Sequence, residues 1–209
     1  QRLAKGTANQ ELRINSGATA PEWYTPAVAS SDYVLLATTT ASSTGAIQFD
    51  GYFSSTYDTY KVIFYDIYNS TSAQFQVRFM KGGSSATASN YKFVTNEVYT
   101  DSTPSTSTTA YRTVWNDSFM QLTRGDVPTT SATSARLQGE LTLFNPLSTS
   151  TYKTIQSSVT FQRTGDANTM HMHKGYGRLE DNTSALSGIN LYPTNGTFVA
   201  GKFKLYGIK

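Results

Sequence analysis

Cysteine is absent from the 209 residues, which removes thiol catalysis, thiolate metal sites and disulfide frameworks together. Charge is sparse as well: only 15% of residues are Asp, Glu, Lys or Arg, and the net charge is +3. The basic residues are scattered, with no Lys/Arg run interleaved with aromatics, so no nucleic-acid partner is expected. No stretch reaches the ~18 consecutive apolar residues of a membrane span, and the first residues lack the apolar core of a secretory signal. Membrane insertion is therefore not expected. Helix-building residues never dominate a long stretch. There are only two histidines, no Gly-x-Ser-x-Gly elbow and no phosphate-cradling loop that opens a helix. The carboxylates are dispersed, whereas a glycosidase needs two within roughly 5 to 9.5 Å. The expectation is a protein without catalytic residues and without a cofactor, with a polysaccharide-cleaving enzyme as the remote alternative.

What is present is Thr, Ser, Gly, Asn and an unusual 14 tyrosines, a composition that fits a pleated, half-buried surface. From Tyr33 onward, short apolar runs recur about every ten residues. They include YKVIFYDIY (Tyr60 to Tyr68), QFQVRFM (Gln74 to Met80), YKFVTNEVY (Tyr91 to Tyr99) and RLQGELTLF (Arg136 to Phe144). Several alternate with period two: Leu137, Leu141 and Leu143 oppose Arg136, Gln138, Glu140 and Thr142, and Ile155, Val159 and Phe161 oppose Gln156, Ser158, Thr160 and Gln162. Alternation of this kind marks sheets with one buried and one solvated face. YKVIFYDIY is apolar on both faces and should lie centrally, covered on both sides.

The punctuation is turn chemistry at Asn69, Gly82-Gly83, Asn116-Asp117, Gly165-Asp166, Asp181-Asn182 and Asn195-Gly196. Asn195-Gly196, between two apolar runs, predicts a hairpin. Ser84–Ser89 and Asp101–Thr109 should be long loops. The expected architecture is an all-β, antiparallel sandwich of jelly-roll type over residues 31–209. Residues 1–30 differ, with Pro21 and Pro26 and only isolated apolar residues; they read as an extended N-terminal arm or short β-turn unit. The chain begins with Gln, which suits either trimming or a piece of something longer.

Within residues 1–30 stand Arg2-Leu3, Gly6-Thr7-Ala8, Gln10, Leu12, Gly17 and Trp23. This spacing resembles a short element of tailed-phage tail-fibre and related virion proteins. Phe53 to Lys61, and Gly196 to Gly207 with its closing Leu205-Tyr206-Gly207, resemble modules of marine and cyanobacterial phage structural proteins. The resemblance implies a virion location and trimeric assembly, with residues 1–30 packing around a threefold axis and docking on other virion proteins. It implies either a tail-fibre or tail-tip module that contacts host-surface glycan or protein, or a decoration or fibre protein on the head.

His171 and His173 stand two apart in MHMHK, so on a strand both imidazoles share a face. Some phage fibre and spike proteins bind iron through such a His-x-His, and three pairs on a trimer axis would offer six nitrogens. The plainer and preferred reading is two exposed polar positions opposite a buried Met170 and Met172. Among the aromatics, Tyr60, Tyr65 and Tyr68 read as packed strand residues. Tyr99 and Trp115 are the candidate binding residues, because they flank Asp101–Thr109 and Tyr offers both a stacking face and a hydroxyl.

Overall fold

A computed structural model of the chain describes residues 2–27, 31–100, 107–129, 136–163 and 169–209. The predicted turn at Gly165-Asp166 and most of Asp101–Thr109 lie outside these residues. Two compact units are present, Gln1–Ser31 and Asp32–Lys209.

The first unit is a hairpin of β1 (Glu11–Ile14) and β2 (Pro21–Tyr24), in which Leu12 pairs with Trp23 and Ile14 with Pro21. These residues share one face, and Leu12, Ile14 and Trp23 stay exposed there. The opposite face carries the Arg13–Glu22 ion pair at 2.8 Å, with the Arg13 guanidinium 3.6 Å from the Tyr24 ring centroid. The indole of Trp23 donates to the Ala4 carbonyl at 2.6 Å and lies flat over Gly6, where a Cβ would come within 2.5 Å of the ring. Gln10 accepts from the Thr7 amide at 2.8 Å. Trp23 thus packs on Gly6, while Gln10 closes a turn onto Thr7.

The second unit is all-β: no helix occurs among the described residues. Its strands are β3 (Tyr33–Thr40), β4 (Ile47–Asp50), β5 (Thr59–Asn69), β6 (Phe75–Lys81), β7 (Ser84–Ser85), β8 (Tyr91–Thr100), β9 (Ser107–Asp117) and β10 (Met120–Gln121). There follow β11 (Leu137–Phe144), β12 (Lys153–Gln162), β13 (Met170–Leu179), β14 (Gly188–Pro193) and β15 (Phe198–Ile208). One sheet has eight strands in the order β3-β15-β5-β11-β12-β13-β8-β9; the other runs β10-β6-β14-β4, with β7 beside β6. All the pairings are antiparallel. From β4 to β6 the chain alternates between the two sheets.

The core lies between the sheets. Phe75 of the smaller sheet meets Phe64 and Phe198 edge-on at 5.2 and 5.4 Å, and Phe79 stacks on Tyr91 at 5.9 Å. Leu137, Leu141, Leu143, Ile155, Val159 and Phe161 all point into it, as their alternation predicts. Three expectations need correction. β5 is central, but only its inner face is sealed; Lys61, Ile63 and Tyr65 on the outer face are half-buried. Ser84–Ser85 is not open loop but pairs with β6. Asn195-Gly196 does make a turn, with Gly196 at φ +72°, yet it joins no hairpin. β14 pairs with β4 and β6, while β15 pairs with β3 and β5, so this turn carries the chain from one sheet to the other.

Candidate functional site: a polar cavity at one end of the sandwich

On the inner face of the large sheet, three strands align their side chains in rows. Tyr99, His171 and Phe161 form one row, Glu97, His173 and Val159 the next, and Thr95, Gly175 and Ser157 the third. The His171 imidazole lies between two rings, stacked on Tyr99 at 5.1 Å and on Phe161 at 5.0 Å. Its Nδ1 faces a Glu97 carboxylate oxygen at 2.8 Å. Burial alone would raise the Glu97 carboxyl, but the hydrogen bond from His171, helped by the nearby Arg124 cation, outweighs it and holds the group below its ordinary value. An ionised Glu97 accepts, so the Nδ1–H tautomer of His171 is the one the network selects. That leaves His171 Nε2 buried without a hydrogen-bond partner, as are both nitrogens of His173 and the Ser157 hydroxyl. His173 is wholly buried, and its pKa is pushed down to about 4, chiefly by that burial.

The histidines are therefore not the exposed pair that the sequence favoured; Met170 and Met172 point outward instead. The physical reason is parity. Lys174 and Arg178 must reach water and Leu179 must not, which places the even positions of β13 outside and the odd ones inside. Those charges were the signal available in the sequence. With both imidazoles inside one sandwich, pairs from three copies cannot converge on an ion at an axis. Among the described residues no group of three or more His, Asp or Glu side chains could hold a metal.

The opposite wall is the segment after β10. It hangs on the start of β6 through Leu122 N to Phe75 O and Val127 N to Ala73 O, both 2.8 Å. Gln74 Nε2 donates to the Arg124 carbonyl at 3.0 Å, and Gln121 links Gln74 to the Arg112 guanidinium. Between this wall and the sheet lies a cavity of about 280 Å³ lined by Glu97, Tyr99, Arg124, Gly125, Arg163 and His171. A second recess of about 230 Å³, lined in part by Val98, Phe161, Met170 and Met172, shares Tyr99 and His171 with it. Among the described residues Glu97 is the one carboxylate lining either space.

The two aromatic candidates separate. Tyr99 belongs to this cavity. Trp115 pairs with Lys92, seven residues further along β8, roughly 23 Å away. It lies on the outer face of the same sheet, 66% exposed, near Val94, Tyr176 and the 71%-exposed Tyr111. The Lys92 ammonium is 4.8 Å from the Trp115 ring centroid. Glu97, Arg124 and Arg163 escaped the sequence reading, because only the fold brings their three separate segments together. No protein-family model, curated protein or solved structure matches this chain.

Proposed function

We propose that the chain is a non-enzymatic structural module of a tailed-phage particle, a tail-fibre or tail-tip component that assembles with copies of itself, as a trimer, and contacts the host surface. The observation that carries this is where large apolar side chains are left in water. Two groups of them stand out among the described residues: the hairpin face of Leu12, Ile14 and Trp23, and the outer sheet face of Val94, Tyr111, Trp115, Met170, Met172 and Tyr176; Tyr33 and Leu35 on β3, Tyr52, Phe144 and Tyr152 are exposed outside these groups. Contiguous apolar exposure marks surfaces made to be covered. A chain with two of them, on separate units, fits a part that is anchored through one and makes contacts through the other.

The strand order supports the reading by analogy. β4-β14-β6-β10 facing β5, β11, β13, β8 and β9 is an order that a jelly roll would have with the β11–β12–β13 meander counted as one strand, which supports that reading of the sandwich. Jelly rolls recur in capsid and lectin domains, although fold alone does not assign function. Among the described residues the end cavity has one carboxylate, where glycoside hydrolysis uses a pair.

The test is immunogold electron microscopy of phage particles with antibody raised against residues 32–209. Gold on the tail or its fibres is the expected result. Gold over the head would make the chain a decoration or head-fibre protein, and no gold on intact particles would overturn the virion reading.

A further inference from the structure

Arg124 and Arg163 both stand exposed at the end cavity, and neither guanidinium has a carboxylate at ion-pair distance among the described residues. By contrast, the two cations at the hollow beside Trp115, Lys92 and Arg178, share Glu180. Two planar donors lining one concavity, neither in ion-pair contact among the described residues, match a carboxylate, which arginine grips through paired N–H donors. At the floor, Glu97 is an acceptor fixed in place by His171. A carboxylate floor opposes a simple anion but accepts hydroxyl donors. Tyr99, half-buried and braced on His171, supplies an aromatic wall.

We propose that this cavity binds the acidic sugar residue of a glycan, with Arg124 and Arg163 on its carboxylate, Glu97 accepting from its ring hydroxyls and Tyr99 against its apolar face. The requirement for cation, hydroxyl acceptor and aromatic surface together favours a sugar acid over a peptide C-terminus, which brings no hydroxyls. A volume of about 280 Å³ is at the small end for ligand sites and suits one residue. The proposal takes only the source of the sugar, the host surface, from the reading above.

The full chain is titrated with sodium glucuronate, N-acetylneuraminate and glucose, followed by calorimetry and ligand-observed NMR. Saturable binding of at least one acid is expected, with glucose bound about ten-fold more weakly or not at all. Arg124→Ala and Arg163→Ala should each weaken the acid about ten-fold. Both side chains are exposed, so unchanged thermal melts certify the variants. Binding of neither acid, equal binding of glucose, or undiminished binding by the double variant overturns the proposal. Gold on particles without acid binding would sink the cavity and leave the virion reading; acid binding without gold would do the reverse.

Discussion

His173 has no exposed surface and neither ring nitrogen finds a partner, so the folded protein holds it neutral at a cost that depends on pH. Its pKa is about 4 in the fold against an ordinary 6.5. The unfolded chain therefore takes up this proton first as pH falls. Stability is full above about pH 6.5 and drops through the window down to pH 4, by about 3 kcal/mol. Glu97 adds to the loss at lower pH, because its depressed carboxyl must be protonated in acid. Urea melts at intervals from pH 7.5 to 4 measure the slope. His173→Leu should flatten it between pH 6.5 and 4 without destabilising the fold at pH 7, since replacing an unpartnered buried polar group with an apolar one of similar size is close to neutral. A slope that survives in His173→Leu would place the proton uptake elsewhere. At this scale the sequence was half legible. The His-x-His geometry was visible, but its face was misjudged because methionine outranks histidine in apolarity. Lys174 and Arg178, one and five residues beyond His173 on the same strand, constrain the face more strongly than hydropathy does.

A single buried ammonium ties two connections of the sandwich together. Lys153, at the start of β12, is 1% exposed and donates to the Ser148, Thr151 and Thr183 carbonyls at 2.5, 2.9 and 3.1 Å. Burial, and then the nearby charge of Lys81, lowers its pKa. Lys153→Met keeps the stem but leaves three carbonyls without their donor, and should cost about 2–4 kcal/mol in urea melts. Amide exchange should quicken in residues 145–151 and 182–186 while β5 and β11 stay protected, which separates a lost tether from general unfolding. A second element-scale device is the irregularity in β15 beside β5, where Gly201 has φ +138° and a Cβ would come within 2.6 Å of the Ile67 side chain. Gly201→Ala should cost about 2 kcal/mol or more, read in the same melts, from backbone strain and overpacking. Strands were readable because a sheet with one buried face imposes period two on its sequence, as in β11 and β12. Their partners were not. Asn195-Gly196 has hairpin chemistry, but the φ > 0 that Gly196 supplies serves a corner between sheets equally well. Likewise Lys153 reads as a solvated strand end, because its three acceptors are backbone carbonyls that carry no sequence signature.

Every residue of the hydrophobic core lies between Ala41 and Leu205, so the sandwich needs nothing from the first unit to bury its apolar surface. The hairpin is in the opposite position. Two four-residue strands with an exposed apolar face are marginal in water by themselves, so Leu12, Ile14 and Trp23 call for cover from outside the hairpin. Removing residues 1–31 should therefore leave a cooperatively unfolding protein whose stability changes by no more than about 0.5 kcal/mol. If self-assembly runs through the hairpin face, sedimentation should show the truncated chain as a monomer where the full chain is a trimer. Assembly that persists after truncation would transfer that role to the outer sheet face, and Trp115→Ser with Tyr176→Ser should then dissociate it. Aggregation or loss of the cooperative transition on truncation would mean that residues 1–31 cover part of the sandwich, and the division at Ser31 would no longer separate two independently stable units.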